Sequence, residues 1–255
     1  MKVILTEAQY NKLYSEGIAI SQDNKVSIDT KNNSLIDTSL GKSSKNLKFQ
    51  ARKTTLPLSR VLVYSVYQKE TGPAVTNVLK AFKGKSDDLS MDNDQYDSFI
   101  NRTAIFFAKE LSKIPFDTVI CMQSSSPLVK NVAEKTLGKI SNKSVKYLPD
   151  VIKKSIEDLQ FNKPTSMSAA QANAMQKYVD KAKSLGNFEI KKIPAQNRKF
   201  FSGFITIPEQ ITRSIVGKDV VIFDDYLTSG ATLDSLCVAM LEMNPKSITC
   251  FTILK

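Results

Sequence analysis

Histidine and tryptophan are absent from this 255-residue chain, and cysteine occurs only three times. Without histidine there is no Ser-His-Asp or Cys-His constellation for nucleophilic catalysis and no conventional zinc site. Cys121, Cys237 and Cys250 sit in apolar stretches without metal-ligand spacing. They read as small core residues of a reducing compartment rather than as a disulfide framework. No apolar run approaches the length needed to span a bilayer, and the first residues lack a signal-peptide pattern. The expected location is the cytoplasm, with no membrane partner. A P-loop is missing too: Gly41-Lys42-Ser43 has the right ending, but Ile36 stands where the first glycine is required. Carboxylates, hydroxyls, backbone amides and lysines remain, an inventory suited to positioning and charge stabilisation.

What is present is a chain with 42% hydrophobic residues and a formal charge of +11. Its length can bury a sizeable core as one α/β domain with an appendage, or as two small domains. The informative stretch is Val220-Val221-Ile222-Phe223-Asp224-Asp225-Tyr226-Leu227-Thr228-Ser229-Gly230-Ala231-Thr232-Leu233. Four apolar residues run into two acids and then into a hydroxyl-rich loop around one glycine. A helical pattern follows, with Leu233, Leu236, Cys237 and Met240 on one face. That order predicts a buried parallel strand, an anion-binding loop and a helix N-terminus. The backbone N–H groups of residues 229–232 and the hydroxyls of Thr228, Ser229 and Thr232 would cradle a phosphate. Asp224 and Asp225, at the strand's carboxyl end, would accept sugar hydroxyls or meet a hydrated Mg²⁺. A surface loop with a chance acid pair is the bland alternative.

An apolar run, Asp-Asp, two residues and Thr-Ser-Gly-x-Thr resembles the phosphoribosyl pyrophosphate (PRPP) motif of type I phosphoribosyltransferases. The resemblance implies an open, mainly parallel α/β sheet with helices on both faces, and a 5′-phosphate loop formed by Thr228, Ser229, Gly230, Ala231 and Thr232. It also implies Mg²⁺ as cofactor, placed by Asp224 and Asp225. The activity implied is transfer of 5-phosphoribosyl from Mg·PRPP to a small-molecule acceptor, such as a nucleobase, with release of pyrophosphate; a homodimer is the assembly expected. Upstream, an apolar strand expected at 116–122 opens into Gln123-Ser124-Ser125-Ser126-Pro127, with Pro127 expected as the first helical residue. In the resembling family the pyrophosphate loop occupies this place. Gln123, Ser124, Ser125 and Ser126 are assigned to it, with Lys130 as charge partner; a helix cap without a ligand stays open. Thr165, Gln171, Arg198 and Gly217-Lys218-Asp219 loosely resemble the region before the motif in competence-type (ComF-like) members. Arg198 and Lys199 are candidates for cations of a flexible loop over the reaction centre.

Residues 1–59 are expected to form an N-terminal accessory region. Within residues 1–17 it holds a helix capped by Thr6 and stopped at Gly17, and then either a polar hairpin with Asp23-Asn24 as its turn or partial disorder. The opening residues also resemble the starts of small tailed-phage proteins. Residues 60–255 are expected to form the phosphoribosyltransferase-like domain. Its first elements are a strand over 62–67, a helix from Thr71-Gly72-Pro73 to about Gly84, and a helix over 95–113 carrying Phe99, Ile100, Thr103, Phe107 and Leu111. Strands are expected at 145–148, 219–224 and 247–254. The insertion 149–200 is expected to hold helices over 152–160 and 169–184, with an apolar strand from Phe200 onward. From Lys139 to Lys199 thirteen Lys/Arg face five Asp/Glu. That surplus is a solvated face, an attractor for a polyanionic substrate or a nucleic-acid contact. Two further readings stay open: a PRPP-sensing or nucleic-acid-binding regulator, and a structural protein with a vestigial site.

Overall fold

The computed structural model describes residues 17–21, 23–29, 34–37, 42–57, 59–69, 78, 80–87, 89–122, 124, 126–140, 144–149, 153–154, 156–186, 188, 190–227 and 230–255. The capped helix expected before Gly17 and the Thr71-Gly72-Pro73 start lie outside them, and Gly17 itself opens the first strand. Four long apolar runs become neighbouring parallel strands: β5 (Leu62–Lys69), β13 (Ser247–Leu254), β12 (Asp219–Tyr226) and β6 (Thr118–Cys121). The short β7 (Lys146–Leu148) adds a fifth parallel strand beside β6.

Both faces of β5, β13, β12 and β6 are largely buried, which is why they read as continuous apolar runs rather than as alternations. Val221, Phe223, Cys121 and Phe251 face one core layer. It is covered by α1 (Asn93–Leu111) and α2 (Leu128–Leu137). Val220, Ile222, Met122 and Cys250 face the other. It is covered by α3 (Ala169–Leu185) and α4 (Ala231–Leu241). Helix α1 buries Phe99, Ile100, Thr103, Phe107 and Leu111 together with Ile105 and Phe106, so its apolar stripe is wide, as a sandwiched helix requires. The result is an open, mainly parallel α/β sheet with helices on both faces.

The N-terminal strands extend this same sheet. β1 (Gly17–Ile20) and β2 (Val26–Asp29) form an antiparallel hairpin whose turn holds Asn24 at positive φ. β3 (Ser34–Asp37) and the long β4 (Lys42–Thr55) lead to an antiparallel pairing with β5. The order across nine strands is β2-β1-β3-β4-β5-β13-β12-β6-β7.

Three local expectations are corrected. No helix covers the described part of 152–160. Lys153–Lys154 is β8, paired with β11 (Ile205–Thr206), and Gln160–Phe161 is β9, paired with β10 (Phe201–Ser202). Gly203 lies so close to Asp158 that a Cβ would fall 1.7 Å from its carbonyl oxygen, a packing that holds the two short pairings together. The strand expected from Phe200 is preceded by a 3-10 turn, Ala195–Phe200, and split at Gly203 into β10 and β11. Pro127 caps α2 instead of opening it.

The thiols of Cys121, Cys237 and Cys250 are free and buried. Burial, and then the Cys237 sulfur 3.6 Å away, pushes the Cys250 thiol well above its ordinary pKa. No helix among the described residues is long and apolar enough to cross a membrane.

At the amino end of the sheet, Asp219 is buried and accepts bonds from Ser247 Oγ (2.6 Å) and Lys246 Nζ (3.0 Å). The Ser247 hydroxyl first, and then Lys246, hold its carboxyl below the ordinary 3.8. A depressed folded pKa stabilises the fold above the unfolded value, and the contribution disappears as pH falls through the folded value. Asp219→Asn should therefore lower the thermal midpoint at neutral pH and flatten its decline below about pH 4. A variant whose acid limb parallels the wild type would show that Asp219 does not carry this dependence.

Candidate functional site

After β6 the chain passes through α2 to β7 on one side. After β12 it passes through α4 to β13 on the other. Two adjacent parallel strands whose onward connections diverge form a topological switch point, and the crevice outside their carboxyl ends is where open α/β sheets take ligands. The two hydroxyl loops singled out in the sequence leave from these two strands. Phe223 is level with Cys121, and Met122 N–H donates to the Phe223 carbonyl at 2.9 Å. The chain thus leaves β6 beside the point where Asp224 leaves the apolar core.

The acids face opposite ways, as residues adjacent in a strand must. Asp224 continues the face of Val220 and Ile222. It is half-buried, and its Oδ1 accepts the Asp225 N–H at 2.8 Å. Its register neighbour on β13 is Thr252, whose neighbour on β5 is Ser65. The Thr252 and Ser65 hydroxyls share a buried 2.7 Å hydrogen bond, a polar strip running across the sheet from Asp224. Asp225 continues the opposite face, and its Oδ2 is ion-paired with Lys83 Nζ. Neither Lys83 nor this pairing was legible in the sequence, where Lys83 is one cation among 36.

Helix α4 begins at Gly230, which has φ 74° and supplies no side-chain cap. A left-handed backbone leading into a helix amide end suits a phosphate cradle. Gly230 is buried. A Cβ there would lie 3.0 Å from Leu56 Cδ2 and 3.3 Å from Leu227 Cδ1. Ala231 is buried and Thr232 half-buried in the first turn, while Thr228 and Ser229 lie outside the described residues. One turn in, the buried Asp234 accepts from Ser59 N–H (2.8 Å) and Ser59 Oγ (2.6 Å). The turn between β4 and β5 is thereby fastened beside the loop. Asp234 is the one charged residue in ATLDSLCVAML, a signal the sequence did offer.

On the neighbouring loop Ser124 is half-buried. Ser126 is buried, and its Oγ accepts the Leu128 N–H at 3.2 Å. Its hydroxyl proton is left to donate, so the cap and anion-loop readings are compatible. Lys130 is half-buried in the first turn of α2; Gln123 and Ser125 lie outside the described residues. Arg198 lies in the 3-10 turn Ala195–Phe200. Its Nε–H donates to the Ile193 carbonyl at 2.9 Å, bracing the turn before β10. Lys199 follows in that turn, and its side chain lies outside the described residues.

No family model matches the chain, and no curated protein matches it. Solved structures that resemble part of it include the hypoxanthine-guanine phosphoribosyltransferase of L. donovani (14% identity, TM-score 0.34, 64% of this chain and 72% of that one). The hypoxanthine phosphoribosyltransferase of Staphylococcus aureus resembles it at 16% identity and TM-score 0.33 over 61% of this chain. The Trypanosoma cruzi enzyme of that name does so at 11% identity and TM-score 0.32, again over 61%. The chain spans 62% of each of these last two, less than two thirds of their length.

Proposed function

We propose that the chain binds Mg·PRPP at the switch point between β6 and β12 and transfers its 5-phosphoribosyl group to an acceptor nitrogen, releasing pyrophosphate. The observation that carries this reading is the positive-φ start of α4 at Gly230. It follows directly on Asp224-Asp225 at the carboxyl end of β12, beside a second hydroxyl loop. An anion cradle next to hydroxyl-seeking carboxylates matches a sugar phosphate, and a second cradle matches the diphosphate at its other end.

In this reading the amides of 230–232, with Thr228, Ser229 and Thr232, hold the 5′-phosphate. Charge-assisted hydrogen bonds there contribute about 1.5–3 kcal/mol each. Residues 123–126 with Lys130 hold the pyrophosphate. Asp224 accepts the ribose hydroxyls. Among the described residues there is no cluster of three or more His, Cys, Asp or Glu side chains that could hold a metal ion. The donors fit a Mg²⁺ bound mainly by phosphate and water oxygens, with Asp224 as the protein's contribution. Mg²⁺ supplies charge neutralisation of the diphosphate. As the bond from C1 to the pyrophosphate oxygen breaks, its electron pair leaves with pyrophosphate and the acceptor's lone pair forms the new C1–N bond. Asp224 faces the positive charge that builds on the sugar.

Calorimetric titration with PRPP, with and without Mg²⁺, tests the reading. Saturable binding that weakens when Mg²⁺ is chelated is expected. No binding under either condition would discard it.

A further inference from the structure

Helices α1 and α2 lie side by side over one core layer, and a cleft of about 750 Å³ opens between them. That volume is in the range of small-molecule sites, roughly 300–1,000 Å³. Asn131 Nδ2–H donates to Tyr96 Oη at 3.2 Å, a bond that ties the two helices together beside the cleft. Ile100 is its apolar wall. Gly138 ends α2 at φ −62°, a right-handed backbone that any residue adopts, and a Cβ there would meet nothing nearer than the Glu134 carbonyl at 3.5 Å. Neither the backbone angle nor crowding calls for glycine at this place. What its missing side chain does is keep the cleft open.

Charges of both signs border this space. Lys135 and Lys139 stand one helical turn apart, and Asp97 and Glu134 line the same cleft. Among the described residues none of these four is ion-paired. Burial first, and then the neighbouring Lys135, hold the Lys139 ammonium below its ordinary 10.5. An anionic group set between the two lysines would relieve that repulsion. The two acids offer acceptors to an ammonium group, and Ile100 suits the hydrocarbon between the charges. We propose that the cleft between α1 and α2 binds a small zwitterion of the amino-acid class, its anionic group at Lys135 and Lys139 and its ammonium group at Asp97 and Glu134. This site belongs to the helical layer and does not depend on the PRPP reading.

The probe is 6-aminohexanoate, an ammonium and a carboxylate joined by a hydrocarbon chain, titrated into the isotope-labelled full chain and followed by NMR amide shifts. Hexanoate and hexylammonium, which carry one charge each, are the controls. Saturable shifts centred on Asp97, Asn131, Lys135 and Gly138 are expected, with each control at least about tenfold weaker. K139M and D97N should each weaken the probe at least about tenfold. K163M removes an exposed lysine between Phe161 and Met167, which pack on the opposite core layer, and should leave binding unchanged. G138L should fill the cleft and block binding while the thermal midpoint stays at or above that of the wild type, because leucine suits a right-handed helix end better than glycine. Each variant is checked for cooperative unfolding, and if K139M does not fold, D97N and G138L decide. Absence of saturable shifts at the cleft, equal binding of hexanoate, or wild-type affinity in G138L would each overturn the assignment. Shifts centred instead on residues 124–130 or 224–232 would put the probe in the crevice at β6 and β12 and overturn it equally.

Discussion

Asp224→Asn is expected to abolish Mg·PRPP binding, by at least about a hundredfold, while leaving the fold intact. That loss corresponds to roughly 2.7 kcal/mol. Its size follows from what the substitution changes. A carboxylate at the carboxyl end of β12 offers two acceptor oxygens and a charge, whereas the amide keeps one acceptor and turns two donors toward hydroxyls or metal. Charge-assisted hydrogen bonds account for about 1.5–3 kcal/mol each, so two of them cover the loss. The fold should survive, because the bond that Asp224 Oδ1 accepts from the Asp225 N–H at 2.8 Å is one an asparagine oxygen accepts equally. Adding Asp225→Asn should leave binding equally absent. Calorimetry paired with thermal unfolding separates the effects. Undiminished PRPP affinity in a folded Asp224→Asn protein would remove the acid from the site.

The parts of this site that could be read from the sequence are those made by contiguous residues. The apolar runs at 116–122, 219–224 and 247–254 became β6, β12 and β13 because a strand buried on both faces has no alternation to hide it. The acids and the glycine came in the same stretch. What could not be read depends on chain segments far apart. Lys83 meets Asp225 across 142 positions, and Ser59 meets Asp234 across 175. Nothing in the spacing of either pair encodes the crossover that brings them together. The segment at 152–160 failed for the same reason. A strand of two residues, Lys153–Lys154, has no period of its own and exists through Ile205–Thr206. The strip from Asp224 through Thr252 to Ser65 required the register of three strands, which only the fold supplies.

Gly230→Val should both destabilise the protein and remove ribose-5-phosphate binding, and Gly230→Ala should separate the two effects. At φ 74° a β-branched residue is strained, and this position is buried. A Cβ would stand 3.0 Å from Leu56 Cδ2, a flexible tip that can yield to one methyl but not readily to three carbons. Strain of about 1–3 kcal/mol and overpacking of a similar size bring the valine variant to roughly 2–6 kcal/mol. Alanine meets mainly the backbone penalty, about 1–2 kcal/mol. The effect on binding has a separate origin. The amides at the start of α4 point at the anion only while the chain keeps its left-handed turn, and any Cβ both resists that turn and narrows the approach. Ribose 5-phosphate probes this cradle without the pyrophosphate loop. Its affinity should fall at least about tenfold in Gly230→Ala, or 1.4 kcal/mol. Thermal unfolding and ribose-5-phosphate titration on the same samples supply the comparison. If the alanine variant loses stability but binds as the wild type does, Gly230 serves packing against Leu56 alone, and the phosphate lies elsewhere.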